Sequence, residues 1–166
     1  MEARIRAGVG PDVSVQLDVD PQACFALLGA DDLDRLILPL VDNAARALPD
    51  SGTIRIATGR GPCASAGASE HDLDWALIVV ADTGPGIPTE VVIRLREALS
   101  EQGEPADPST GLTTVHGIVV HLGGHLDVSS VAGHGTTVTI ALPLLDAPPD
   151  PVVVVDVNVL EASTTM

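Results

Sequence analysis

Asp82 closes the apolar run Leu77-Ile78-Val79-Val80-Ala81 and is followed at once by Thr83-Gly84-Pro85-Gly86-Ile87-Pro88. A carboxylate at the mouth of a buried strand is costly to desolvate, so it must face a cleft and find a donor. Glycines just beyond it let main chain approach a flat ligand closely. This combination suits a planar base with an exocyclic amino group: Asp82 accepts the hydrogen bond, and Gly84 and Gly86 pack beneath the ring. A plain strand ending in a type I or II turn has the same local composition and stands as the alternative.

Asn43 is the second residue with chemical potential. It follows Leu36 and Leu40 at helical spacing and falls on or beside an apolar face. A buried amide needs partners. Asn43 is therefore either a core amide bonded to backbone or a carbonyl oxygen offered to a hard cation such as Mg²⁺. The histidines offer less. His121 and His125 have i, i+4 spacing, but Gly123-Gly124 breaks the helix between them, and no cysteine pattern lies nearby to complete a zinc site. His116 and His134 read as surface residues.

These residues need elements to hold them. An alternating stretch at 13–19 predicts a half-buried strand. A helix is predicted over 32–48, with Leu33, Leu36, Ile37, Leu40, Val41, Ala44 and Leu48 on its buried face and Asp31 or Asp32 as N-cap. Pro39 inside it predicts a bend or an unpaired carbonyl near Arg35. Pro49-Asp50-Ser51-Gly52 is a turn, 53–58 a strand, and the Gly/Ala/Ser-rich 59–69 a flexible hairpin loop. The central strand occupies 75–81. A helix follows over 89–100, with Val92, Leu95 and Leu99 on one side, and then a Pro-broken polar segment over 101–108. A helix over 114–122 buries Val115, Ile118, Val119 and Leu122 and ends at Gly123-Gly124 with a left-handed cap. Strands at 125–130 and 136–142 pair around Gly133-His134-Gly135. Hairpins beside two or three helices predict an α+β, two-layer sandwich rather than a doubly wound parallel sheet.

The net charge is −15, from eight Lys+Arg against 23 Asp+Glu, and all eight cations are arginines. Such a surface repels phosphate backbones and anionic lipid, which argues against nucleic acid and membrane partners. An anionic nucleotide would need a metal ion and backbone donors to offset the repulsion. Aromatic residues make up 1%, so the core must be built from Val, Leu, Ile and Ala. No apolar run is long enough to span a membrane and no leader pattern opens the chain, so a soluble cytoplasmic protein is expected. Cys24 and Cys63 read as free thiols.

Three segments recur in a known order. They are Leu36-x-x-Pro39-Leu40-x-x-Asn43-Ala44-x-Arg46-Ala47; then Asp82-Thr83-Gly84-Pro85-Gly86-Ile87; then Gly111-Leu112-Thr113-Thr114-Val115-His116-Gly117, continuing through Gly123-Gly124-His125 and Ser130 to Gly133-His134-Gly135-Thr136-Thr137. Over residues 13–143 the chain resembles the ATP-binding catalytic domain of bacterial sensor histidine kinases. That family belongs to the wider superfamily of DNA gyrase B, the MutL repair protein and the heat-shock-90 chaperones. The resemblance implies a Bergerat-type ATP-binding fold, a mixed and mostly antiparallel sheet on about three helices, over 1–145. Residues 146–166 read as a Pro-rich tail, either disordered or the start of a following domain.

The resemblance also implies ATP and Mg²⁺ as ligands. Asn43 matches the Mg²⁺-binding asparagine, and Arg46 the basic position that reaches phosphate. Asp82 matches the adenine-binding aspartate, with Gly84, Gly86 and Ile87 around the base. Gly111 and Leu112 match the end of the second glycine box, where amides at a helix start hold phosphates. Thr136 matches the threonine near the adenine pocket.

Departures from the family pattern keep two functions open. Where the family reads G-x-G-L-G-L, this chain reads Asp107-Pro108-Ser109-Thr110-Gly111-Leu112; residues 94–107 carry no aromatic, and Pro39 replaces a common asparagine. No phospho-accepting helix is recognisable: His71-Asp72-Leu73 has the residues of an H-box start without its context, and none of the chain's own residues is a catalytic candidate. The first reading is a catalytic module that presents the γ-phosphate of ATP to a histidine on another domain or chain. A histidine-bearing dimerisation domain or a response regulator would be its partner. The alternative is a degenerate domain that binds nucleotide weakly or not at all and docks a signalling partner. A general ATPase would need a glutamate ahead of Asn43, and the helix offers only Asp42.

Overall fold

In the computed structural model the described residues are Ile5, 9–20, Ala26, Leu28, 30–63, 75–100 and 111–145. Along the chain they form β1 (Val13–Asp18), α1 (Ala30–Ala47), β2 (Gly52–Gly61), β3 (Trp75–Asp82), α2 (Thr89–Ser100), α3 (Leu112–His121), β4 (His125–Val131) and β5 (Gly135–Pro143). Cys24, Phe25, His71, the segment 101–110 and the tail 146–166 lie outside the described residues.

The strands make one sheet in the order β1-β2-β3-β5-β4. Only β1 and β2 are parallel, and α1 is the crossover that a parallel pair requires. The other pairs are antiparallel. In β3 the alternate residues Ala76, Ile78 and Val80 are buried, facing Ile54 and Ile56 of β2, Ile140 of β5, and Leu126 and Val128 of β4 in one layer. The helices cover this face. All seven apolar residues expected on α1 are 5% exposed or less. At about 1.5–3 kcal/mol for each large aliphatic side chain removed from water, this stripe is what holds α1 to the sheet. Val115 and Val119 of α3 enter the same layer and Leu95 and Leu99 of α2 pack against it, so the two-layer α+β architecture is as the sequence predicts.

Three local expectations change. Residues 59–61, read as loop, extend β2, because β3 offers Leu77, Ala76 and Trp75 as ladder partners. Ladder pairing overrides the weak β-propensity of glycine, and at Gly61 a Cβ would come 3.2 Å from Leu77 Cδ1. Asp31 and Asp32 lie inside the first turn of α1 rather than capping it, and there they complement its dipole as Arg46 does in the last turn. The Pro39 expectation stands: α1 runs on through it, and proline has no amide hydrogen for the Arg35 carbonyl. α3 begins at Leu112, two residues early, because Gly111 at φ 67° turns the chain into the helix.

Two arginines tie edges of the sheet. Arg55 of β2 pairs with Asp18 of β1. Arg96 of α2 donates Nε–H to the Val128 carbonyl at 2.8 Å, and its Nη2 lies 3.3 Å from the Asp127 carboxylate. Both ion pairs are largely exposed, so Arg96 acts mainly by capping a main-chain acceptor of the outer strand. Cys63 is a free thiol. Among the described residues no helix is long and apolar enough to cross a membrane.

Candidate functional site

Period-two alternation places Asp82. It continues the series Ala76, Ile78, Val80 and so emerges on the helix-covered side of the sheet, opposite Ile54. The core ends there, and the carboxylate is only partly buried. Its Oδ1 accepts the Gly84 amide at 2.8 Å and the Thr136 amide at 3.3 Å. Oδ2 takes no hydrogen bond from the described residues, which leaves one oxygen held and one presented. Thr83 closes the strand end: its amide donates to the Thr53 carbonyl at 3.1 Å, and its Oγ1 accepts the Thr53 amide at 3.0 Å.

The glycines after Asp82 are demanded by the protein itself. At Gly84 a Cβ would meet Asp82 Oδ1 at 2.8 Å and the Ala47 carbonyl oxygen at 3.2 Å. Gly86 has φ 69°, and a Cβ there would overlap the Val131 carbonyl oxygen. The turn is thus pressed against the end of α1 on one side and against the β4–β5 hairpin on the other.

That hairpin is stitched to the turn through Ser130. The Ile87 amide donates to Ser130 Oγ at 2.8 Å, and Ser130 Oγ–H donates to the Gly135 carbonyl at 2.8 Å. Ser130 Oγ also lies 3.1 Å from Thr136 Oγ1. The Gly133 amide adds a bond to the Pro85 carbonyl at 2.6 Å. Ser130 and Thr136 are direct cross-strand partners. By the same alternation as Asp82, they face the helix side at the same end of the sheet.

α1 provides the other wall. Pro39, Asn43 and Ala47 are spaced four residues apart and share one helix face. The Pro39 ring lies against Gly111 at the start of α3, where a Cβ would come 3.1 Å from Pro39 Cβ. Ala47 lies against Gly84, and Asn43 sits between the two. From Pro39 to Ala47 the helix rises about 12 Å. One face of α1 therefore runs from the α3 N-terminus, past an amide oxygen, to the presented carboxylate region. The Val115 amide bonds to the Gly111 carbonyl at 3.2 Å, the first bond of α3, so the amides of the turn before it have no helical acceptor. The Leu112 side chain is buried, which leaves its main chain for any ligand.

Arg46 Nη2 donates to Asn43 Oδ1 at 3.1 Å and to Asp42 Oδ2 at 2.8 Å, while its Nε donates to the Asp42 carbonyl at 3.2 Å. The amide oxygen of Asn43 is thus oriented by a cation on its own helix. It is a hard neutral donor that fits Mg²⁺, provided Arg46 releases it.

Asp82, Gly84, Gly86, Ile87 and Thr136 are brought into one bonded assembly. Asn43 and Arg46 form a second group on α1, and Gly111 with Leu112 opens α3 against that helix. Sequence reasoning gave Ser130 and Gly135 no role, although both lie in the quoted motif. A serine in a strand before a tight turn carries no chemical signature of its own. Only the β4–β5 register shows that it meets both Ile87 and Thr136.

The family described as histidine kinase-, DNA gyrase B- and HSP90-like ATPase matches residues 29–146. The sensor kinase CckA of Brucella abortus is 30% identical over 142 residues, covering 82% of this chain and 15% of that protein. The histidine protein kinase DivJ of Caulobacter vibrioides is 32% identical over 146 residues, covering 85% of this chain and 21% of its own. The chain thus spans only a minor part of these relatives. Among solved structures, the mycobacterial sensor histidine kinase MprB aligns with a TM-score of 0.62 at 25% identity, over 86% of this chain and 90% of that one. The catalytic domain of histidine kinase ThkA aligns with a TM-score of 0.61 at 19% identity, over 86% and 83%.

Proposed function

Because the chain belongs to the histidine kinase-, DNA gyrase B- and HSP90-like ATPase family, we propose that it holds ATP along α1 and presents the γ-phosphate to a histidine on another domain or chain. It is an ATP-binding catalytic module of the sensor histidine kinase type, acting in two-component signalling. The observation that carries the finer reading is the single face of α1 on which Pro39, Asn43 and Ala47 line up between Gly111 and Gly84. Its two ends offer chemically opposite partners, amide donors at one and a carboxylate acceptor at the other. A nucleotide is opposite in the complementary sense, with an amino group on the base and anionic phosphates.

In this reading Asp82 Oδ2 accepts from the exocyclic amino group of adenine. Oδ1 stays bonded to the Gly84 and Thr136 amides, which hold the carboxylate still before the base arrives. Gly111 and Leu112 offer main-chain donors to phosphate at the start of α3. Asn43 Oδ1 would hold Mg²⁺, which when bound neutralises phosphate charge. Arg46, released from Asn43 but still paired with Asp42, would turn a remaining guanidinium N–H to phosphate. Phosphoryl transfer asks mainly for positioning and charge neutralisation, and these residues supply both. The acceptor histidine belongs to a partner, either a dimerisation domain or a domain elsewhere in a longer chain. A cytoplasmic location belongs to the same proposal, because ATP is held there.

A second reading, a domain that docks a partner without binding nucleotide, is favoured by Asp107 and Pro108 in the phosphate segment. Amide NMR shifts on adding ATP with Mg²⁺ separate the two. The catalytic reading predicts saturable shifts at Gly84, Thr136, Asn43 and Gly111 together. Shifts absent at all four positions would support docking alone.

A further inference from the structure

Among the described residues Ser130 has three polar neighbours, and it has one proton to give. The Gly135 carbonyl can only accept, so the Ser130 hydroxyl hydrogen goes there, at 2.8 Å. The Ile87 amide can only donate, and it takes one lone pair of Ser130 Oγ, also at 2.8 Å. The 3.1 Å contact with Thr136 Oγ1 must then be a bond donated by the threonine hydroxyl. Thr136 has spent its only side-chain hydrogen, and its Oγ1 can act toward any other group only as an acceptor. The amide of the same residue is bonded to Asp82 Oδ1, so this hydroxyl stands beside the carboxylate.

We infer that Ser130 is a specificity-determining positioning residue: by fixing the Thr136 hydroxyl as an acceptor, it makes the pocket edge beside Asp82 select a 6-amino purine against a 6-oxo purine. The inference rests on the proposed nucleotide site and adds a residue to it. A free threonine hydroxyl is ambivalent and can turn its hydrogen toward a keto oxygen. Held by Ser130 it cannot, and a 6-oxo group placed there meets acceptors on both sides. Rejection of a ligand whose polar group finds no complement is stronger than rejection by shape alone. The chain Ile87–Ser130–Thr136 also ties this polarity to the turn after Asp82, so the acceptor edge is set by main chain rather than by a mobile side chain.

The test is a calorimetric titration of the chain with ADP and with inosine diphosphate, both with Mg²⁺, read as the ratio of the two affinities. Wild type should prefer ADP. Ser130→Ala should lower that ratio about tenfold, the equivalent of one neutral hydrogen bond. Ser130→Thr, which keeps a hydroxyl, should restore it. Thr136→Val should lower the ratio as well, and adding Ser130→Ala to Thr136→Val should change it no further, since Ser130 acts through Thr136. A serine that merely supports the fold would weaken both nucleotides equally and leave the ratio alone, which overturns the inference. If Ser130→Ala does not fold, an unchanged ratio in Thr136→Val overturns it equally. ADP binding with an unchanged ratio sinks the role of Ser130 and leaves the site standing. Failure of wild type to bind either nucleotide removes both.

Discussion

Gly135 leaves no room for a side chain against Asp82: a Cβ built on it would overlap the aspartate's main-chain carbonyl oxygen. The hairpin turn therefore rests directly on the end of β3, at the residue whose partly buried carboxylate lies on the helix-covered side of the sheet. Gly135 also has φ 94°, where a side chain is strained even in open space. Gly133, in the same turn at φ 82°, has nothing within 4 Å of its Cβ position. The pair separates conformational cost from collision. Gly133→Ala should cost about 1 kcal/mol of stability, and Gly135→Ala at least about 2 kcal/mol more, measured by urea unfolding. Equal losses would mean that the hairpin lifts off β3 without penalty.

Asn43 should matter only when metal is present. Its Oδ1 is already oriented by Arg46, so the ligand is preformed and the cost of binding is the exchange of one cation for another. Asn43→Ala should remove the Mg²⁺-dependent part of ATP affinity and leave adenosine affinity nearly unchanged, in titrations with and without the metal. Equal losses for ATP and adenosine would identify Asn43 as a structural amide.

The phosphate segment is where this sequence departs most from its family. Pro108 lacks an amide hydrogen, and Asp107 would add negative charge beside a triphosphate if it stands where the resemblance puts it. Wild type should therefore gain only a small, Mg²⁺-dependent increment of affinity from the triphosphate, binding ATP weakly and only modestly better than adenosine. The triple variant Asp107→Gly, Pro108→Thr, Ser109→Gly should tighten ATP selectively, by paired titration of both ligands. A strong ATP preference already present in wild type would show that phosphates are held elsewhere.

The α1 stripe was fully legible, because Leu33, Leu36, Ile37, Leu40, Val41, Ala44 and Leu48 repeat at a spacing that only a helix buries together. Asp82 was legible for the opposite reason, as the one charge that ends an apolar strand. Residues 59–61 were misread because glycine and arginine say nothing of the ladder that β3 offers them. Ser130 was passed over because one of its three hydrogen bonds reaches back to Ile87 and the other two depend on the β4–β5 register. The steric need for glycine at 84 and 86 was attributed to a ligand, and it arises from Ala47, Val131 and Asp82 itself. Each of these three misses is a contact between elements, which local composition does not encode.

The account turns on Asp82 Oδ2 as an acceptor for adenine, and an asparagine there is the sharpest probe. Asp82→Asn can keep its oxygen toward the Gly84 and Thr136 amides, so the turn survives while the presented atom changes from acceptor to donor. The deciding measurement is isothermal titration of wild type and Asp82→Asn with ADP and Mg²⁺. Wild type should bind saturably with one site per chain, and the variant should lose about 1–3 kcal/mol of binding with its unfolding midpoint nearly unchanged. Equal binding by both proteins, or none by wild type, would contradict the account.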